Sequence, residues 1–106
     1  MKTQEHTTVN EDTLNAGLKE LYKIICDIED PQMTEEFFDC LFTPAERKDI
    51  ASRWLLVKEI NKGTAQRDIA KMFSMSLCKI TRGSKELKKP NSAFRKILDR
   101  IDEKNR

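Results

Sequence analysis

The sequence predicts an all-α fold of short amphipathic helices, and three observations lead there. Only three glycines and three prolines occur in 106 residues, too few for the many turns of a β-sandwich. Charged residues make up 36% of the chain, which suits helices with one solvated face. Apolar residues recur at steps of three and four rather than two.

Each element follows from such a pattern. Residues 1–10 are polar and read as a disordered tail, leaving 11–106 as a single domain. Glu11 to Glu29 reads as a first helix, with Leu14, Leu18, Leu21, Ile25 and Ile28 on one stripe and Pro31 just past its end. Tyr22 and Ile24 lie off that stripe and fit either a dimer contact or packing within one subunit. Thr34 to Leu41 reads as a short second helix with Phe37, Phe38 and Leu41 on its apolar side. Thr43-Pro44-Ala45-Glu46 is a capping box with Pro at the first helical position. The helix it opens runs to about Asn61, with Ile50, Trp54 and Val57 on one face, widened by Ala51 and Leu55. Gly63 stops it. Trp54 reads as core or dimer packing rather than as a ligand box.

Thr64 is a candidate cap for a fourth helix, Ala65 to about Phe73. Ser74-Met75-Ser76 is a tight connection to a fifth, Leu77 to about Lys88, interrupted or kinked near Gly83. Pro90 and Asn91 precede a last helix whose stripe is Phe94, Ile97, Leu98 and Ile101.

Charge is unevenly placed. Residues 1–61 hold seven Lys/Arg and thirteen Asp/Glu, a net −6. Residues 62–96 hold ten Lys/Arg against Asp68 and Glu86, a net +8. A basic stretch of this kind fits a nucleic-acid face or a solvated helix surface. Three cysteines in no paired spacing, Cys26, Cys40 and Cys78, imply free thiols in a reducing cytoplasm. His6 is the single histidine, so no metal-ligand set is expected. No signal peptide and no membrane-spanning run is apparent. With no phosphate-cradling glycine loop and no nucleophile–base pair, an enzyme is not expected.

The two helices around Ser74, at about residues 65–88, read as a helix-turn-helix. Ala70 is small where the helices cross. Ile69 and Phe73 share a face that Met75 and Ile80 can close. Lys79, Thr81, Arg82 and Lys85 fall on the outer side of the second helix, which a major groove accepts. Ser74 stands where a left-handed residue is needed, at a cost of about 1 kcal/mol for a non-glycine.

Within this stretch, Ile80-Thr81-Arg82-Gly83-Ser84 followed by Leu87-Lys88 resembles the ITRGS signature of the bacterial trp repressor family. Gln66-Arg67 is similar to the start of that family's reader-head, and Thr43-Pro44-Ala45-Glu46-Arg47 to its TP-x-ER segment. Arg53 falls where the family keeps an arginine. The resemblance covers roughly residues 35–95, with Gly63 to Gln66 one residue shorter than in the best-known members.

The resemblance implies a six-helix fold forming an intertwined homodimer. It implies repression of transcription by binding double-stranded operator DNA when L-tryptophan is bound as corepressor. The implied DNA contacts are Gln66, Arg67, Leu77, Cys78, Lys79, Thr81, Arg82 and Lys88. The implied ligand set is Cys40, Phe42, Thr43, Arg53, Arg82, Gly83 and Glu86. Arg53 and Arg82 would sandwich the indole, since a guanidinium stacks on an aromatic face and also binds a carboxylate. Thr43 would meet the carboxylate, and carbonyls near Cys40 and Phe42 of the other subunit the ammonium. Gly83 would leave space beside the ring.

Plainer readings stand beside these: Arg53 as a surface ion-pair former, Thr43 as a cap, Gly83 as a close helix crossing, and Cys78 as a passive small group. Two positions depart from the family. Glu86 replaces a serine and fits an ammonium acceptor, a surface partner of Lys89, or a changed ligand. Lys79 replaces a threonine and fits a phosphate or a guanine. A ligand-independent DNA-binding or architectural protein is the alternative function.

Overall fold

Six helices form among the described residues, 8–105, of the computed structural model. They are α1 (Glu11–Asp27), α2 (Pro31–Leu41), α3 (Pro44–Lys62), α4 (Gln66–Phe73), α5 (Leu77–Lys88) and α6 (Ala93–Lys104), with no strand among those residues. His6 and most of the expected tail lie outside them. The chain divides into two units at Phe42/Thr43, the first holding α1 and α2 and the second α3 to α6.

In the first unit, the Asn10 side chain accepts from the Thr13 amide at 2.8 Å and so caps α1. The helix stops at Asp27 rather than Glu29, because Ile28 is extended at φ −75°, ψ 122°. Pro31 lies past the end of α1, as expected, and is also the first residue of α2, which therefore begins three residues before Thr34. A proline loses no hydrogen bond at that position. The residue before it, Asp30, is extended as proline requires and accepts from the Gln32 amide at 3.0 Å. Neither α1 nor α2 contains a buried residue. Phe38 and Phe42 meet edge to face, with ring centroids 5.3 Å apart.

The second unit carries the core. The capping box is complete: Thr43 Oγ1 accepts from the Glu46 amide at 3.1 Å, and Glu46 Oε1 accepts from the Thr43 amide at 2.9 Å. Gly63, at φ 91°, ends α3 as expected. Leu56 and Val57 are adjacent on α3 and so point about 100° apart. Each anchors its own cluster. Leu56 packs with Ile69 and Ile80, flanked by Ala70, Phe73 and Met75. Val57 packs with Leu87 and Leu98, flanked by Trp54 and Phe94. Ile60 borders both.

Three sequence expectations are corrected here. Ile50 and Leu55 are exposed, and so is Ala51, so the inward face of α3 is that of Leu56, Val57 and Ile60. Thr64 does not cap α4; its hydroxyl donates to Glu59 Oε1 at 2.9 Å, and Ala65 holds the cap position without a side-chain bond. α5 runs unbroken through Gly83, which is buried against Leu56 and Ile60 of α3. In α6, Ser92 caps the helix, and of the expected stripe Leu98 is buried and Phe94 half-buried, with Ile97 and Ile101 exposed. No helix among the described residues is long and apolar enough to cross a membrane.

Candidate functional site

α4, the Ser74–Ser76 connection and α5 form the expected helix-turn-helix. Ile69 and Ile80 are 0% exposed and fix the two helices against each other and against Leu56 of α3. The turn requires Ser74 at φ 49°, ψ 48°, the left-handed region, where its amide donates to the Ala70 carbonyl. The Met75 amide donates to the same carbonyl at 3.0 Å.

With Ile69, Ile80 and Leu87 packed inward, most of the remaining residues of the two helices face solvent. Gln66, Arg67, Leu77, Cys78, Lys79, Thr81, Arg82 and Lys88 are all exposed, as are Lys71 and Lys85. Thr81 Oγ1 donates to the Leu77 carbonyl at 2.9 Å. Its one proton is thereby engaged, and toward a base it presents acceptor lone pairs only. The surface of α4 and α5 is thus strongly cationic, the electrostatic condition for phosphate binding.

A cleft of about 760 Å³ opens between α3, α5 and the start of α6. Leu56, Val57, Ala93 and Phe94 give it an apolar floor. Arg53, Lys79, Arg82 and Lys89 line it as cations, with Glu86 as the one carboxylate. This combination fits a small molecule with an apolar body and an anionic end. Glu86 Oε1 accepts from Lys89 Nζ at 2.9 Å. That hydrogen bond, aided by the charges of Lys89 and Arg82 against slight desolvation, holds the Glu86 carboxyl below its usual 4.5. Gly83 also lines the cleft, and a Cβ on it would meet Ile60 Cδ1 and Leu56 Cδ2 at 3.4 Å, an ordinary van der Waals contact, so the crossing of α3 and α5 does not itself require a glycine.

Of the seven ligand residues named from the sequence, Arg53, Arg82, Gly83 and Glu86 come together at this cleft. Thr43 is occupied as the α3 cap. Cys40 is exposed in the last turn of α2, and Phe42 follows it as the C-cap, half-buried. Lys89 and Phe94 line the cleft although the sequence marked them only as a helix partner and a core residue. Their signal was positional: both flank Pro90–Asn91, where the chain turns back across the end of α5. Trp54 packs in the Val57 cluster, as its sequence context predicts. No group of three or more His, Cys, Asp or Glu among the described residues is placed to hold a metal ion.

The chain matches the family described as Trp repressor protein over residues 16–102. It is 32% identical over 89 residues to a Trp operon repressor homolog of Chlamydia caviae, covering 83% of this chain and 88% of that protein. A Trp operon repressor homolog of Chlamydia trachomatis serovar L2 is 28% identical over 101 residues, 94% of this chain and 98% of its own. One from Vibrio parahaemolyticus is 34% identical over 76 residues, 71% of this chain and 74% of its own. No solved structure matches the chain significantly. The family match and these relatives, together with six helices that include a cationic helix-turn-helix, establish that the chain belongs to the Trp repressor family of transcriptional repressors and has its all-α fold.

Proposed function

We propose that the chain is a homodimeric, cytoplasmic repressor that binds operator DNA through α4 and α5 when L-tryptophan occupies the cleft. The observation that carries this reading is the convergence of Arg53, Arg82 and Glu86 on one cleft with an apolar floor, formed in part by the recognition helix itself. The same helix presents Leu77, Cys78, Thr81 and Lys88 to solvent. A ligand wedged between α3 and α5 therefore acts directly on the orientation of the element that reads DNA. It favours whichever orientation binds the ligand better, and by linkage raises DNA affinity by the same factor that DNA raises ligand affinity. The indole packs on the floor between guanidinium groups while a cation takes the carboxylate.

Dimerisation is supported by α1, whose apolar residues Leu14, Leu18 and Tyr22 are 58%, 45% and 58% exposed. Two copies would align two recognition helices with successive major grooves. Residues 11–106 then function as one domain per subunit, with Cys40 and Phe42 contributed to the partner's ligand.

The test is operator binding by fluorescence anisotropy, with and without L-tryptophan, alongside thermal melts. Ligand at a hundredfold excess over its Kd stabilises the folded protein by about 2.7 kcal/mol. Equal DNA affinity with and without tryptophan, with an unchanged Tm, would make the protein a ligand-independent DNA binder instead.

A further inference from the structure

The helix-turn-helix joins the rest of its unit at two points, and a side-chain hydrogen bond crosses the chain at each. On the entry side, the Thr64 hydroxyl donates to Glu59 Oε1 at 2.9 Å, and the Thr64 amide donates to the Glu59 carbonyl at 3.1 Å. Lys62 Nζ bonds the other carboxylate oxygen at 3.1 Å, and the Glu59 side chain is only 17% exposed. On the exit side, just past the turn at Pro90–Asn91, Arg95 Nη2 donates to Asn61 Oδ1 at 2.7 Å, joining residues 34 apart in sequence. Both acceptors, Glu59 and Asn61, belong to the last turn of α3. One helical turn therefore grips the chain where it enters the helix-turn-helix and again just after it leaves. None of the four residues lines the cleft or is among the DNA contacts named above.

Apolar packing is non-directional, whereas a hydrogen bond requires alignment. The clusters around Leu56 and Val57 hold α4 to α6 on α3, and the two bonds add an angle to that hold. The cleft is open, at about 760 Å³, while both bonds are made. The orientation they favour is thus one that admits the ligand. If tryptophan raises DNA affinity, the orientation that accepts it is also the one that binds DNA.

We infer that the last turn of α3 is a clamp that favours the ligand-accepting, DNA-binding orientation of the helix-turn-helix independently of ligand, with Thr64 and Arg95 as its positioning residues. The inference rests on the proposed coupling of tryptophan to DNA. For that coupling to exist, the competent orientation must be a minority without ligand, since a population already complete cannot be raised. Ligand-free DNA affinity is then proportional to that population, and so to what the clamp contributes. Once ligand has driven the population to completion, the clamp adds nothing. The clamp therefore sets the DNA affinity that remains without tryptophan, and it reduces the factor by which tryptophan raises it.

Asn61→Ala and Thr64→Val each remove one clamp bond without changing the net charge. Operator affinity is measured by fluorescence anisotropy with no ligand and with saturating L-tryptophan, and tryptophan affinity without DNA by calorimetry. Each variant is expected to lose about threefold in ligand-free operator affinity and in tryptophan affinity, and to lose little at saturation. In the double variant the two losses should multiply to about tenfold, because both bonds bias one equilibrium. Thr64→Ser keeps the hydroxyl and should behave as wild type. A merely structural role lowers operator affinity at saturation as much as without ligand, and that equal loss overturns the inference. A gain in ligand-free affinity also overturns it, since the bonds would then hold the other orientation. Unchanged ligand-free affinity in the double variant overturns it too and leaves the reading of the cleft standing. If tryptophan does not change the operator affinity of the wild-type protein, the reading of the cleft fails, and this inference with it.

Discussion

Residues 8–42 and residues 43–105 are built from the same kind of amphipathic helix, yet only the second set buries side chains. Leu14 and Tyr22 of α1 are each 58% exposed, whereas Ile69 and Ile80 of α4 and α5 are 0% exposed. Apolar content is not the difference, since α1 carries three leucines, two isoleucines and a tyrosine. The difference is closure. In the second unit α3 presents two adjacent residues, Leu56 and Val57, to two separate clusters, and short connections fold the next helices onto them. A hydrophobic stripe states that a face will be covered but not by what. In α1 the stripe is legible and the cover is supplied, on our reading, by a second copy of the chain.

The largest expected effect tests that contrast. Ile80→Ala empties a fully buried site joining α3, α4 and α5, and should cost about 2–5 kcal/mol in urea denaturation. Leu18→Ser, on the exposed stripe of α1, should act on assembly instead. Sedimentation equilibrium should show a weaker dimer, with the helicity of the second unit retained. A dimer unaffected by Leu18→Ser would remove the α1 stripe as its interface.

Next in size is a split within the cationic surface of the second unit. Arg67→Ala should weaken binding to the specific operator by about 1–3 kcal/mol and relax sequence preference, as expected for a base reader. Lys88→Ala should weaken operator and random duplex alike and reduce the salt slope by about 1. Competition titrations at several salt concentrations separate the two. Equal losses on operator and random DNA for Arg67→Ala would make it a phosphate contact.

What the sequence disclosed and what it withheld divide along physical lines. Local signals were legible: the Thr43–Glu46 capping box, the stop at Gly63, the left-handed Ser74, and the Ile69–Phe73–Met75–Ile80 packing of one hairpin. These depend on residues a few positions apart. The α3 face was read in part: Trp54 and Val57 were named and pack in the core, whereas Leu56 was not, because Ile50 and Leu55 are as apolar as Leu56 and only the positions of α4 to α6 decide which of them is covered. Thr64 was misread because α4 begins one residue later, with Ala65 at the cap position, and the Thr64 hydroxyl donates to the Glu59 carboxylate instead. At the candidate site, Arg53, Arg82 and Glu86 were found from family spacing. Lys89 and Phe94 became visible only when the turn at Pro90–Asn91 placed them beside α5.

A smaller effect concerns how α3 begins and ends. Thr43→Ala removes the side-chain half of the capping box and should cost about 1 kcal/mol. Two carboxylates at the ends of this helix are held below their usual 4.5, Glu46 chiefly by the Thr43 amide and Glu59 chiefly by the Thr64 hydroxyl, with Lys62 adding to it. Because their folded values lie below their unfolded ones, their contribution is fully present above pH 4.5 and is lost as pH falls through the folded values. Chemical denaturation between pH 6 and pH 3 should show a shallower acid loss in Glu46→Gln than in wild type. Identical slopes would mean that the box contributes no pH-linked stability.

The smallest effect lies in the turn of the reader-head. Among the described residues, Gly63, Ser74 and Asn91 are the ones with positive φ, and all three belong to the second unit, where sharp reversals bring helices back onto one core. Glycine adopts this region freely, and asparagine tolerates it better than other side chains do. Serine at φ 49°, ψ 48° carries a penalty of about 1 kcal/mol or somewhat more. Ser74→Gly relieves it but gives the unfolded chain more freedom, which offsets about 0.5–1 kcal/mol. The net expectation is a gain of roughly 0.5 kcal/mol, a rise of a few degrees in Tm. Asn91→Gly, at φ 59°, is the control and should gain less, because less strain is present to relieve. DNA affinity should be unchanged in Ser74→Gly, since the turn keeps its backbone path and only its strain is removed. If Ser74→Gly lowers Tm instead, the serine side chain stabilises the turn by more than its backbone strains it, and the cost of this tight reversal must lie elsewhere in the reader-head.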